Sequence, residues 1–353
     1  MQARAATNAV GPSILYKLIH FRIAVEETPA RLAASRPRIR PARHSSMSQI
    51  LNSGSISLRL LILILSLFQC LCYREHITAF KTTDEYNTTN VLTPPQNWLN
   101  FRLIENRCTD AEGYLEAFTV DWQPESNEKL SENGVMAEKT MNTLLHVFEG
   151  YAGLYQASRD PSVGQAMRRI LEIYADKIYS PELHRQLVFF DKHYHSIIDL
   201  YSYGHDIESS WLIDWGCALL GDAALTAKIT AINSDLARSV YAHAYRDHSL
   251  LNECERGVDN TTRVWWVQAE AVLGFVNEYQ KSGDPKYRDA AAGIWHYITE
   301  KILDKRPGGE WFWSVDASGV PASRQPIVEP WKCPYHNGRM CMELIRRDPH
   351  VEV

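Results

Sequence analysis

The sequence predicts an all-α fold built from stacked helical hairpins. Three observations carry that prediction. From about residue 101, amphipathic helical patterns alternate with short turns, and no run of strands interrupts them. Two helices open on the same dipeptide, at Asp160-Pro161 and Asp284-Pro285. Finally, Asp160, Asp222 and Asp284 stand 62 residues apart each time. A period of that length is one helical hairpin with its connections. Such a unit cannot bury its apolar face alone and must stack on its neighbours, either in a closed toroid of two concentric rings or in an open solenoid.

The elements follow in order. KTMNTLLHVFEGYAGLYQ (139–156) has the spacing of an amphipathic helix. PSVGQAMRRILEIYADKIY (161–179) is the next, with Asp160 as N-cap and Pro161 at the first helical position, where a missing N–H leaves nothing unsatisfied. Leu220-Gly221-Asp222 begins the equivalent helix one period on, and Asp284-Pro285 opens PKYRDAAAGIWHYITEKIL (285–303). The flanks align as well: GLYQASRDP (153–161) parallels NEYQKSGDP (277–285), and CALLGDA (217–223) falls between them in the same phase.

Residues 1–100 have a different texture. PARLAASRPRIRPARH (29–44) is basic and proline-rich, without helical periodicity. ISLRLLILILSLFQCLCY (56–73) is an apolar run broken by Arg59. It is short for a spanning helix, which needs about 20 apolar residues. Read from Met47 it has the form of a signal-peptide core, but no small-residue cleavage site follows. The expected division is a disordered or non-native leader over 1–100 and a patterned domain over 101–353. The sequon at Asn87 is a common chance match.

Composition narrows the function. The formal net charge is −5, so no basic field suggests nucleic acid. The seven cysteines are scattered, with spacings that match no zinc framework, and an odd count is a poor disulfide framework. Reduced thiols in a cytoplasmic protein are expected. The alternative is secretion or anchoring through 56–73.

The repeat locates the chemistry. Stepping by 62 carries His146 onto Glu208 and Glu208 onto Glu270, on the first helix of three successive hairpins. Asn142 lies one turn before His146 on the same face, and stepping from it gives Gly204 and then Trp266. The neighbouring stretches HVFEGYAGLY and WWVQAEAVLGFV are too apolar for an exposed surface, so these ionisable groups face a shared interior. Trp265 and Trp266 point about 100° apart on a helix, so one can face a cavity while the other packs. A flat indole is the platform a sugar's C–H face needs. His336 lies in WKCPYHNGRM (331–340), a segment whose Pro and Gly suggest a turn that aims it into a cleft. In this set HxxE spacing is weak evidence for a metal, and HExxH is absent. The other use of these groups is proton transfer. A histidine has a suitable pKa, and a glutamate three residues away, Glu208 from His205, can orient it.

At these residues the sequence resembles the cellobiose 2-epimerases within the N-acylglucosamine 2-epimerase family. The carrying motifs are SENGVMAEKTMNTLLHVFE (131–149), DLYSYGHDIESSWL (199–212), NTTRVWWVQAEAV (260–272) and VEPWKCPYHNGRMCMEL (328–344), and the resemblance covers about 105–347. It implies an (α/α)6 toroid, incomplete at its N-terminal side, with no cofactor or metal. It implies reversible inversion at C2 of the reducing-end glucose of a β-1,4-linked disaccharide, cellobiose or lactose, and a cytoplasmic protein for which a monomer is favoured. By resemblance, His336 and His205 are the acid–base pair at C2, passing through a cis-enediolate. His146 assists ring opening, and Glu208 is an essential carboxylate that orients His205. Asn142, Trp265, Trp266, Glu270 and Trp331 contact the substrate, Trp331 nearer the non-reducing unit. The family's first helices, with an active-site arginine, have no match in residues 1–100. Two other functions compete: an inactive remnant or binding protein, and a glycoside hydrolase using Glu208 and Glu270 as paired carboxylates.

Overall fold

The computed structural model describes residues 55–57, 94–110, 112–119, 123–124, 135–322, 324–328 and 332–348. The basic segment 29–44, the Asn87 sequon, nearly all of the apolar run 56–73, and Trp331 lie outside these residues.

Eight α-helices are described. The first, α1 (Pro94–Arg107), runs across the division expected at residue 100. Three hairpins follow: α2 (Met141–Ser158) with α3 (Pro161–Ile173), α4 (Tyr203–Leu220) with α5 (Ala223–Ala244), and α6 (Trp265–Ser282) with α7 (Pro285–Tyr297). The last helix is α8 (Tyr335–Arg347). The three leading helices are each 18 residues long and start at 141, 203 and 265, so the 62-residue period holds to the residue. α3 and α7 each end in a five-residue π-helical turn, Tyr174–Ile178 and Ile298–Ile302.

The punctuation repeats for physical reasons. Asp160, Asp222 and Asp284 each accept a backbone N–H in the first turn of the following helix, and Pro161 and Pro285 occupy the first helical position. Each leading helix closes on a left-handed residue, Arg159 (φ 55), Gly221 (φ 68) or Gly283 (φ 72), whose N–H bonds the carbonyl of Tyr155, Cys217 or Tyr279. Glycine takes that conformation without a Cβ clash, whereas Arg159 takes it at a cost.

Helices α2, α4, α6 and α8 pack side by side as an inner layer, and α3, α5 and α7 lie against their own partners outside. This is an arc of an (α/α)6 toroid. One continuous apolar core joins the layers, with Phe148, Trp211 and Phe275 among its largest members.

The sequence suggested no strands, yet two- and three-residue strands appear in every long connection. They sew the hairpins together. Lys139–Thr140, before α2, pairs with Phe189–Phe190, before α4. Leu200–Ser202, entering α4, pairs with Glu253–Glu255, before α6. Arg263–Val264, entering α6, pairs with Ser314–Val315, before α8. Strands this short lack the alternation that reveals longer ones. Their effect is to hold the N-termini of the inner helices in register. A further strand, Ser55–Ser57, pairs with Ala117–Thr119.

Among the described residues, no helix is long and apolar enough to cross a membrane. The described cysteines, Cys108, Cys217, Cys254, Cys333 and Cys341, carry free thiols.

Candidate active site

The N-terminal halves of the inner helices carry the ionisable groups, and the structure brings them together around a residue the sequence reading did not single out. Arg339, on α8, is buried among three glutamates. Its Nη1 donates to Glu149 Oε1 of α2 (2.6 Å), and its Nη2 donates to Glu208 Oε1 of α4 (2.5 Å) and Glu270 Oε1 of α6 (2.8 Å). Nη1 also donates to the Tyr335 hydroxyl, which in turn donates to Glu149 Oε2 (2.8 Å). The guanidinium lies over the rings of Trp211 (5.0 Å) and Tyr335 (4.5 Å). One cation thus joins all four inner helices.

The charges settle accordingly. Burial alone would push each carboxyl up. For Glu149 the neighbouring Arg339 and His146 outweigh burial and hold it well below the usual carboxylate range. Burial is again outweighed at Glu270, by Arg339 and His336, which lower it to about 2. At Glu208 burial and the nearby Glu270 prevail and raise it. Its Oε2 has no hydrogen-bond partner among the described residues.

The three histidines sit on this base. His336 Nδ1 donates to Glu270 Oε1 (2.7 Å), because an ionised carboxylate can only accept. His146 Nδ1 donates to Glu149 Oε2 (2.9 Å). Burial disfavours the imidazolium of His146, but the hydrogen bond to Glu149 and the charges of Glu208 and Glu149 more than compensate, and its pKa is raised. His205 Nδ1 lies 2.6 Å from Ser202 Oγ. The rings of His205 and His336 converge on one indole, Trp266, with centroids 4.8 and 5.4 Å away.

Several expectations change here. Glu208 does not orient His205: its ion pairs go to Arg339 and to His336 (3.9 Å), because Arg339 captures the carboxylate while Ser202 holds the imidazole. An HxxE pairing exists instead on the preceding hairpin, three residues out of the repeat's register, between His146 and Glu149. His336 is in the first turn of α8 rather than in a turn; Pro334 stands just before the helix, and Gly338 lies within it. Glu270, expected to contact substrate, is 0% exposed and holds His336 from behind while accepting from Trp211 Nε1 (2.9 Å). Of the two tryptophans, Trp265 is buried against Trp313 (4.7 Å) and edge-on to His336 (6.4 Å), so Trp266 alone keeps a partly exposed face. That face has room because Gly204, its equivalent one repeat earlier, has no side chain. A Cβ there would come within 2.5 Å of Trp266 Cη2.

Asn142 is half-buried on the His146 face of α2, and its Oδ1 has no partner among the described residues. The sequence reading missed Glu149, Ser202, Trp211, Tyr335 and Arg339. A signal existed only for Glu149, which repeats the His205–Glu208 spacing. Ligand atoms of Glu208, Glu270 and His336 lie within 4.8 Å of one another, as a metal site requires. The Arg339 guanidinium already bonds both carboxylates, so the cationic position is filled by protein.

Fold and site together define an α/α-toroid protein with an ionisable interior carried on its inner helices. The chain is similar to a sugar epimerase from a ruminal bacterium, with a TM-score of 0.71 and 42% identity, covering 75% of this chain and 69% of that one. It is also similar to cellobiose 2-epimerase from Bacillus thermoamylovorans B4167, with a TM-score of 0.74 and 38% identity, covering 83% and 72%. The family model for N-acylglucosamine 2-epimerase (GlcNAc 2-epimerase) matches residues 102–337, and the chain belongs to that family. Cellobiose 2-epimerase from Eubacterium cellulosolvens is 48% identical over 262 residues, which are 70% of this chain and 64% of that protein. Cellobiose 2-epimerase from Ruminococcus albus is 44% identical over 247 residues, 70% and 64%. The chain therefore spans about 64% of the length of these curated relatives.

Proposed function

We propose that the chain is an isomerase that inverts C2 of the reducing-end glucose in β-1,4-linked disaccharides, with cellobiose and lactose as substrates. The observation that carries this reading is the pair of imidazoles, from α4 and α8, meeting on the partly exposed Trp266 ring. An indole face receives a sugar's C–H surface, and two nearby bases can serve the two faces of a planar intermediate.

The steps follow from the groups present. The sugar ring opens as the C1–O5 bond breaks: the ring oxygen takes up a proton, and the C1 hydroxyl gives one up to become the aldehyde carbonyl. His146, whose Glu149 partner raises its pKa, suits that transfer. One histidine then takes the C2 proton, the C–H electron pair forms the C1=C2 bond, and the carbonyl electrons move to O1, giving a cis-enediolate. Rotation about C2–C3 presents the opposite face, and the second histidine returns a proton to C2. Glu270 holds the Nδ1 proton of His336, which makes Nε2 the nitrogen that exchanges protons. Both terminal nitrogens of Arg339 are bonded to glutamates, so the guanidinium serves the site's architecture, not the sugar.

The hydrolase alternative conflicts with burial. Glu208 and Glu270 are both 0% exposed and share one guanidinium nitrogen, so neither can flank a glycosidic bond. The reading is tested with the purified chain and cellobiose in D2O, followed by NMR. Glucosyl-mannose with deuterium at C2 is expected. Free glucose would replace the reading with hydrolysis. Bound disaccharide without exchange or product would replace it with a binding protein.

A further inference from the structure

The repeat exposes a contrast between the starts of α2 and α4. Thr140 and Ser202 occupy the same position, one residue before α2 and α4, and Thr143 and His205 occupy the same position in the first turn. At α2 the residues behave as a helix start usually does: Thr140 Oγ1 accepts the backbone N–H of Thr143 (3.1 Å). At α4 the equivalent serine makes no cap bond. Its hydroxyl, 6% exposed as a residue, lies instead 2.6 Å from Nδ1 of His205. A good N-cap residue has been diverted from the helix to a histidine.

We propose that Ser202 is a positioning residue that accepts the Nδ1 proton of His205 and so makes Nε2 the nitrogen that exchanges protons with the sugar. This rests on the function proposed above. A histidine that shuttles a proton through Nε2 keeps its Nδ1 proton in both states, so the partner of Nδ1 must accept in both. A serine hydroxyl can do so and remains neutral. His336, in the same kind of helical first turn, has a carboxylate in that role. The two histidines are therefore held by unlike partners: an ionised carboxylate, Glu270, holds Nδ1 of His336, whereas a neutral hydroxyl, Ser202, holds that of His205 without adding charge. The strand pairing of Ser202 with Glu253 anchors the serine from outside the helix, so its side chain is aimed independently of α4.

The test compares the wild-type chain with Ser202→Ala and Ser202→Thr, all labelled with 15N. His205→Asn identifies the imidazole signals of His205. The proposal expects the Nδ1–H tautomer in wild type and Ser202→Thr, and a shift towards Nε2–H in Ser202→Ala. Deuterium exchange at C2 should fall about tenfold in kcat for Ser202→Ala, with KM unchanged, and return to within about threefold in Ser202→Thr. An Nε2–H tautomer in wild type would overturn the proposal. So would equal exchange in Ser202→Ala and Ser202→Thr, since a serine of merely structural value gains nothing from the retained hydroxyl. Failure of the wild-type chain to exchange would refute the function, and the tautomer comparison would still decide the role of Ser202.

Discussion

Replacing Arg339 with methionine should produce a protein whose stability deficit depends steeply on pH. The substitution keeps an unbranched apolar stem and removes the only described cation bonded to Glu149, Glu208 and Glu270. Glu149 then keeps His146 and Tyr335, and Glu270 keeps His336 and Trp211; a buried carboxylate that loses its fixed cation is driven towards taking up a proton. At pH 7, protonating a glutamate of ordinary pKa near 4.3 costs about 4 kcal/mol, at about 1.4 kcal/mol per unit. Glu208 is already raised in the wild-type site, so the new burden falls on Glu149 and Glu270. Their ceiling together is about 7 kcal/mol at pH 7 and about 2 kcal/mol at pH 5. The first figure rivals the whole stability of an ordinary domain, roughly 5–15 kcal/mol. The signs are opposite in the two proteins. In wild type, Glu149 and Glu270 lie below their unfolded value, so their stabilisation is present above about pH 4.3 and is lost as pH falls. In the variant their pKa values rise above it, so stability is greatest in acid and is lost as pH climbs. The gap should therefore narrow from pH 7 to pH 5, as measured by urea unfolding followed through tryptophan fluorescence. A gap that stays constant would show that Arg339 matters only through its packing on Trp211 and Tyr335, and would refute the electrostatic argument.

Other outcomes follow from single contacts. His336→Ala should lower C2 deuterium exchange by about 100-fold or more while disaccharide binding, read by calorimetry, is largely kept. Gly204→Ala should force its Cβ against the Trp266 indole, costing about 1–3 kcal/mol by thermal unfolding and weakening disaccharide binding. Arg159→Gly should relieve the left-handed backbone strain of about 1 kcal/mol. Part of that gain is offset by loss of the Arg159 Nη1 bond to the Leu219 carbonyl (3.0 Å), so a small rise in Tm is expected.

The hairpins were legible because their signals are local and repeated. Asp160, Asp222 and Asp284 each mark a cap whose geometry needs only the next turn of chain. The interior positions of His146, Glu208 and Glu270 were legible for the same reason, since the period carries one into the next. The site's wiring was not. Nothing near Arg339 in the sequence says that it reaches α2, α4 and α6, because those contacts span up to 190 residues. The partners of His205 and Glu208 were misjudged because helical spacing states which groups can meet, not which third group intercepts them. Ser202 and Arg339 do the intercepting. The start of helix α8 was read as a turn because Pro334 and Gly338 read as breakers, although a proline just before a helix suits its start.

The Arg339 cluster also constrains the order in which the molecule can be finished. Ribosomal synthesis delivers α2, α4 and α6, with their three acids, well before it delivers α8. Until that helix docks, the nascent hairpins carry Glu149, Glu208 and Glu270 on faces that must stay wet or protonated. Tight closure of the inner layer should then come late in the life of the chain, once the Arg339 guanidinium arrives. A ribosome-stalled chain ending before residue 335 should therefore hold three formed hairpins around a hydrated interior.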